Sequence, residues 1–364
     1  MRTIPILAVL IIPFMLSCRP TEESKREIIV RSDKNLEVLF TVYNQIWTPF
    51  LDPNVSNRML EHSKLMQQNH QEFVEFNDHK AIELTEKILG RSGTDFFLLA
   101  FFYDEFPKVK RIKEIPDRIL KDINQDTDSA LFEIEKLMQE ISVFYMESNF
   151  EAFYERNQYV YNKAIDEVTK NLPGPDFIPF MESYFGHKFK SYNFLILPFF
   201  KSEFGMAFPA NHGSDSYCLV SSFEPAKLDS NNQVVYVGYD SPQEILEWVT
   251  HEYAHNFFNP PLFQPENVEK LDTYGYLFQP IKGSPQIANW ASMFAEHLAV
   301  AFEVRAADLI GDSVRVEQLM DSHKDWPYIS HFVQQLRIYE NNRSKYKDID
   351  SFIPSLIDSL KNLD

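Results

Sequence analysis

The sequence is short of cysteine, of basic stretches and of long apolar runs, and each shortage argues against a class of protein. Only two cysteines occur in 364 residues, Cys18 and Cys218. A framework stapled by several disulfides is therefore excluded. Lys and Arg total 35 against 53 Asp and Glu, for a formal net charge of −18, and no basic stripe stands out. That balance argues against nucleic acid as a partner, and against binding anionic lipid through charge alone. Residues 4–16 are apolar but too short to span a bilayer comfortably, and no other stretch is apolar enough for a transmembrane helix. Internal repeats and low-complexity tracts are also missing. What remains is 44% hydrophobic and 15% aromatic. This is ample for a substantial core in one large or two ordinary domains.

The chain is organised around residues 241–260, SPQEILEWVTHEYAHNFFNP. His251-Glu252-Tyr253-Ala254-His255 is an HExxH motif. On a helix, two histidines four apart lie one above the other on the same face and can reach one ion. Glu252 can then reach a water held by that ion, which is the arrangement a zinc hydrolase needs. The local sequence predicts the helix. Ser241 is a good N-cap, Pro242 suits the first helical position, and Glu244 is placed to complete a capping box. Ile245, Leu246, Trp248 and Val249 have helical spacing, and Asn259-Pro260-Pro261 is expected to stop the helix just past His255.

Elsewhere the pattern predicts an α+β fold. Residues 35–190 read as mostly helical, with an apolar face that includes Leu36, Leu39, Tyr43, Trp47 and Phe50, and a dense aromatic run over 97–103 expected to be core. Residues 171–175 (NLPGP) are a break. Short β-like stretches follow at 193–200, 205–208, 217–223 and 234–239, separated by turn residues. They predict a small, mostly antiparallel sheet of three to five strands leading into the HExxH helix, with further helices to the C-terminus. Residues 191–364 would form the zincin-like region. Cys218, in the apolar run of 217–220, is read as a small buried hydrophobe.

The N-terminus reads as a targeting segment. Arg2 gives a positive start, the apolar run ends at Met15-Leu16-Ser17-Cys18, and a polar stretch follows. This resembles the lipobox of bacterial lipoproteins, with Met15 where leucine is usual. The resemblance implies a signal peptide over 1–17, lipidation of Cys18, and a tether over 18–34. It also implies anchoring in a bacterial cell envelope, facing the periplasm or the cell surface.

A catalytic zinc takes three protein ligands and keeps one position open. The metzincin pattern fails, because it needs glycine at 258 and histidine at 261, where this chain has Phe258 and Pro261. The leading third ligand is Glu296, set among Met293, Phe294, Leu298, Val300 and Phe302. A carboxylate in such company must snorkel, pair or bind a metal. Glu303, two turns on and roughly on the same face, either orients a histidine ligand or is itself the ligand, and Asp272 is a third contender. From residue 190 to 310 the chain resembles the gluzincin branch of the HExxH metallopeptidases, with Ala295 where those enzymes usually carry asparagine. It also looks like a bacterial family with an HExxH core followed by Asn-Pro, on the strength of HEYAHNFFNP and residues 36–47.

The gluzincin resemblance implies one Zn²⁺ held by His251, His255 and Glu296, with Glu252 as general base in the hydrolysis of a peptide or protein substrate. The group that stabilises the transition state stays open among Tyr274, Tyr276, His297, Arg305, His331 and Tyr339. Two other readings also stay open: a non-catalytic binding lipoprotein, and a zinc hydrolase of non-peptide bonds.

Overall fold

The described part of the chain opens on a strand. In a computed structural model that describes residues 26–46, 64–210, 215–278 and 290–363, Ile28–Arg31 (β1) is the first element. The helical region follows as α1 (Lys34–Ile46), α2 (Lys64–Phe73), α3 (Lys80–Ser92), α4 (Asp117–Ile123), α5 (Thr127–Glu147), α6 (Phe150–Arg156), α7 (Gln158–Thr169) and α8 (Phe177–Phe185). Its apolar periodicity does what such spacing dictates: Ile134, Leu137, Ile141 and Phe144 of α5 are fully buried. The aromatic run forms a 3₁₀ turn, Gly93–Phe102, with every residue from Phe96 to Phe102 buried. The break at 171–175 separates α7 from α8. Buried apolar side chains form one cluster that runs from α1 to Leu360, so the helical region and the sheet share a core. Trp47, Phe50, Cys18 and the rest of the targeting segment lie outside the described residues, as does the turn at 211–214. No helix among the described residues is long and apolar enough to cross a membrane.

The sheet holds β1, β2 (Ser191–Leu197), β3 (Gly205–Ala210) and β4 (Asp215–Ser221) in the order β1-β2-β4-β3. A two-stranded antiparallel ribbon, β5 (Lys227–Leu228) with β6 (Val234–Tyr236), stands apart. The fold is α+β, but the four-stranded sheet is mixed rather than mostly antiparallel. β1 runs parallel to β2, and β2 parallel to β4; only β3 is antiparallel to its neighbour β4. Two long-range events cause the difference. β4 inserts between β2 and β3, so these strands, consecutive in sequence, do not pair. β1 docks in parallel after a crossover that contains the whole helical region, because parallel pairing needs a long connection. Burial on both faces shows why β2 and β4 are central: all but the first residue of each is buried, which gives a continuous apolar run in place of alternation. The segment read as a tether over 18–34 is corrected in the same way, since 28–31 is a strand and α1 starts at Lys34.

One carboxylate ties the helical region to the start of the HExxH helix. Glu167 of α7 accepts from the backbone N–H groups of Val237, Gly238 and Tyr239 at 2.8, 3.0 and 2.9 Å. Gly238, at φ 112°, allows the turn that aims those groups together. The Tyr239 hydroxyl donates to the Val220 carbonyl and accepts from Leu197 N–H, each at 3.0 Å. The residues just before the helix are thereby fixed to α7, β2 and β4. The helix itself is α9 (Pro242–Leu262), followed by α10 (Pro265–Asp272), α11 (Trp290–Leu309), α12 (Ser313–Ser322), α13 (Ile329–Asn341) and α14 (Ile349–Asp358). α9 lies against β3 and β4 on one side and α11 on another.

A buried acid in α1 makes stability depend on pH. Glu37 is 2% exposed and accepts from the Tyr161 hydroxyl at 3.1 Å. Burial pushes its pKa from the ordinary 4.5 up to about 8, against the Tyr161 hydrogen bond and with some help from Asp33. The folded value is the higher one, so the contribution is complete below the unfolded pKa and is lost as pH rises through about 8. Urea unfolding of the wild type should therefore lose roughly 1 kcal/mol per pH unit across that window relative to Glu37→Gln. A stability difference between the two proteins that stays constant with pH would show that Glu37 is ionised in the fold.

Candidate metal centre

Local chemistry starts α9 as expected and ends it later than expected. The Ser241 hydroxyl accepts from Glu244 N–H at 3.3 Å, and Pro242 occupies the first turn. The capping box is only half made, because Ser241 N–H donates to the Tyr239 carbonyl and leaves nothing for the Glu244 carboxylate to accept. Pro260 and Pro261 do not stop the helix after His255; both lie inside it. Their missing N–H groups deprive only the carbonyls of Asn256 and Phe257. Burial of Pro261 and Leu262 carries the last turn. The helix then closes at Phe263, whose N–H donates to the Asn259 carbonyl at 3.0 Å.

α9 and α11 bring three acceptors together. His251 Nε2 lies 3.1 Å from His255 Nε2 and 3.1 Å from Glu296 Oε2, and His255 Nε2 lies 3.5 Å from Glu296 Oε1. These three residues are a group able to hold a metal ion. The His251 tautomer follows from its other nitrogen. Nδ1 sits 2.7 Å from Glu303 Oε1, and an ionised carboxylate only accepts, so Nδ1 carries the proton and Nε2 of the neutral ring presents a lone pair. Acceptors that converge in this way can be satisfied by a shared proton or by a cation between them. A tetrahedral ion with bonds of about 2.0–2.1 Å holds its ligand atoms roughly 3.3 Å apart, which the donor set fits.

With no ion between them, the same groups favour a second proton on the His251 ring. Burial opposes a charge on His251, yet the carboxylates of Glu296 and Glu303 outweigh it and raise its pKa well above the usual imidazole value. Burial works the other way on Glu296, and His255 with His251 holds it well below the carboxylate range. Glu252 is 4% exposed. Burial lifts it to about 7, with both imidazoles pulling it down. No hydrogen bond ties its carboxylate to another described residue.

The two roles left open for Glu303 resolve on geometry. It contacts the outward nitrogen of His251 rather than the convergence point, and Arg315 Nη2 stands 3.8 Å from its second oxygen. A carboxylate in this place fixes ring orientation and raises ligand basicity. Glu303→Ala should weaken zinc binding about 10–100-fold while one equivalent still binds at saturation. Competition against a chelating dye would measure this, and Glu296→Ala in the same assay should lose the saturable site.

The other candidates sit elsewhere. Arg305 is bidentate to Glu340 at 2.9 and 2.5 Å and also pairs with Asp308. The Tyr339 hydroxyl donates to the Tyr184 carbonyl at 2.8 Å. His297 Nδ1 donates to the Met293 carbonyl, and His331 Nε2 meets Ser359 Oγ at 2.9 Å. Asp272 is exposed at the end of α10, and no described contact joins Asp272, Tyr274 or Tyr276 to the histidines. Cys218 is buried, and burial pushes its thiol well up, so it is no nucleophile.

Two neighbours of the site were not foreseen. Arg315 lies between Glu247, at 2.9 Å, and Glu303. Gly205, the first residue of β3, faces Trp248 and Glu252 so closely that a β-carbon would overlap both. A glycine inside a strand pattern was the available signal for the second; nothing local marks the first.

Known proteins add little chemistry. No curated protein and no solved structure matches the chain. One family matches over residues 57–359, which includes the whole candidate centre. The chain belongs to the DUF4932 family, described as a domain of unknown function.

Proposed function

We propose that this protein is a zinc-dependent hydrolase of peptide bonds, held at a bacterial envelope membrane through Cys18. The observation that carries the reading is the convergence of His251 Nε2, His255 Nε2 and Glu296 on one point, next to Glu252, whose carboxylate has no hydrogen bond among the described residues. Bound among those three, zinc would supply a polarised water whose pKa is lowered towards neutrality. Glu252 would be the residue to accept a proton from the attacking water and to return it to the leaving amine. Glu303 keeps His251 in the tautomer that offers Nε2 inward. β3 is the edge strand that packs on α9, and among the described residues no strand pairs with its outer edge, where an extended chain could align.

The test is zinc content and hydrolysis of a peptide library by purified protein, with ester and amide substrates in parallel. One equivalent of zinc with peptide cleavage supports the reading. One equivalent of zinc with no cleavage of any substrate makes the protein a binding module. Cleavage of esters alone makes it a hydrolase of another class.

A further inference from the structure

A cavity of about 320 Å³ opens between α8, α9, α11 and α12, and neither His251, Glu252, His255 nor Glu296 lines it. Its size is near the lower end for ligand pockets, roughly 300–1,000 Å³. The four helices meet here without closing their apolar faces. Phe177 and Phe180 of α8, Leu246 of α9 and Ala306 of α11 line the cavity and are only half-buried. Leu319 of α12 completes the wall. Ile310, 68% exposed, carries the apolar surface out to the mouth.

The polar lining decides what can enter, because each polar side chain in it is already matched within the protein. Arg315 fills the space between two acids, with Nη1 2.9 Å from Glu247 Oε1 and Nη2 3.8 Å from Glu303 Oε2. Glu303 also accepts from His251 Nδ1 at 2.7 Å, and Glu247 accepts from Gln243 Nε2 at 2.6 Å. Asp312 accepts from the Arg315 backbone N–H at 2.9 Å, and Thr250 Oγ1 donates to the Leu246 carbonyl at 2.6 Å. Asp176, the remaining acid, has a partner as well. A charged ligand of either sign therefore finds no unmatched counter-charge. It would lose water without compensation or break the Arg315 bridges, and both are unfavourable. An uncharged ligand meets neither penalty and gains from covering the half-buried walls. Two phenylalanine rings in those walls suit an aromatic body, which can pack on them face or edge.

We propose that this cavity binds an uncharged, apolar aromatic small molecule, about the size of a diarylamine, held by wall contact with no ion pair. The proposal does not rest on the hydrolase reading, and it is tested without zinc or turnover.

The probe is N-phenyl-1-naphthylamine, which is uncharged at neutral pH and fluoresces in apolar surroundings. Titrated into the full chain, it should give one saturable site. 8-anilinonaphthalene-1-sulfonate has the same rings with a fixed negative charge, and should bind at least about tenfold more weakly. In competition, 1-naphthylmethanol should displace the probe at a concentration at least about tenfold below that of its cationic counterpart, 1-naphthylmethylammonium. Ala306→Leu, which narrows the cavity, should weaken the probe about tenfold, and Ala306→Phe, which fills it, should abolish binding, with circular dichroism showing the fold retained. The charge comparison uses the wild type, so it decides the question even where a variant does not fold. The proposal is overturned if either charged compound binds as tightly as its uncharged counterpart, if no saturable site is found, or if the folded variants bind the probe like the wild type.

Discussion

Replacing Glu252 with glutamine is expected to leave one equivalent of zinc bound and to lower peptide hydrolysis by about 10²–10⁴-fold. The substitution keeps the shape of the side chain and removes only its capacity to take a proton. It disturbs no described hydrogen bond, because none engages this carboxylate. The donor atoms of His251, His255 and Glu296 keep their own contacts, including the grip of Glu303 on His251 Nδ1. Chemistry is therefore separated from assembly of the site. Burial already opposes a charge at this position, so the neutral amide should cost no stability and give back part of the desolvation penalty. Three measurements belong together: zinc by elemental analysis, turnover on the substrates that the library identifies, and urea unfolding. Hydrolysis that survives unchanged would remove Glu252 from the mechanism, and loss of zinc together with activity would make it a structural residue.

How much of this could be read from residue order depended on how locally each feature is determined. The spacing of His251 and His255, the Ser241 cap and the proline at 242 are decided within a few turns of one helix, and α9 starts where they say. Its end is less local: the lost donor of proline is visible in the sequence, but the burial of Pro261 and Leu262 that holds the last turn is not. Glu296 stood out as a carboxylate among apolar neighbours, but only the packing of α11 on α9 sets its distance from the imidazoles. Glu303 could not be sorted between ligand and orienting partner from its two-turn spacing, since that choice turns on which nitrogen of His251 it meets. Strand direction was the least legible feature. β1 belongs to a sheet whose other strands lie more than a hundred and fifty positions later, and no local pattern announces that pairing. Arg305 and Tyr339 were reasonable chemical types, but their partners Glu340 and Tyr184 come from parts of the chain that sequence order keeps distant.

The second large effect is expected from adding a single methyl group. In Gly205→Ala the new carbon would overlap the six-membered ring of Trp248 and Oε1 of Glu252, so something must move. The strand is not free to retreat. Gly205 is in register with Val220, Phe204 N–H donates to Ser221 Oγ at 2.9 Å, and Ser221 N–H donates to the Phe204 carbonyl at 2.9 Å. The helix is not free either, because Ile245, Val249 and Tyr253 on it are fully buried. The shift must then fall on Trp248 and Glu252 themselves. Overpacking of this kind costs about 1–3 kcal/mol, and displacement of a catalytic group by about 1 Å costs on the order of 10²-fold in rate. Zinc stoichiometry should not change, since none of His251, His255 and Glu296 is touched. The two overlaps can be separated with Gly205→Ala combined with Trp248→Leu, which clears the ring but not the carboxylate. Stability should recover in the double variant while turnover stays low. If turnover recovers as well, the glycine serves the indole rather than the acid, and the close approach of β3 to α9 is a packing feature with no part in placing Glu252.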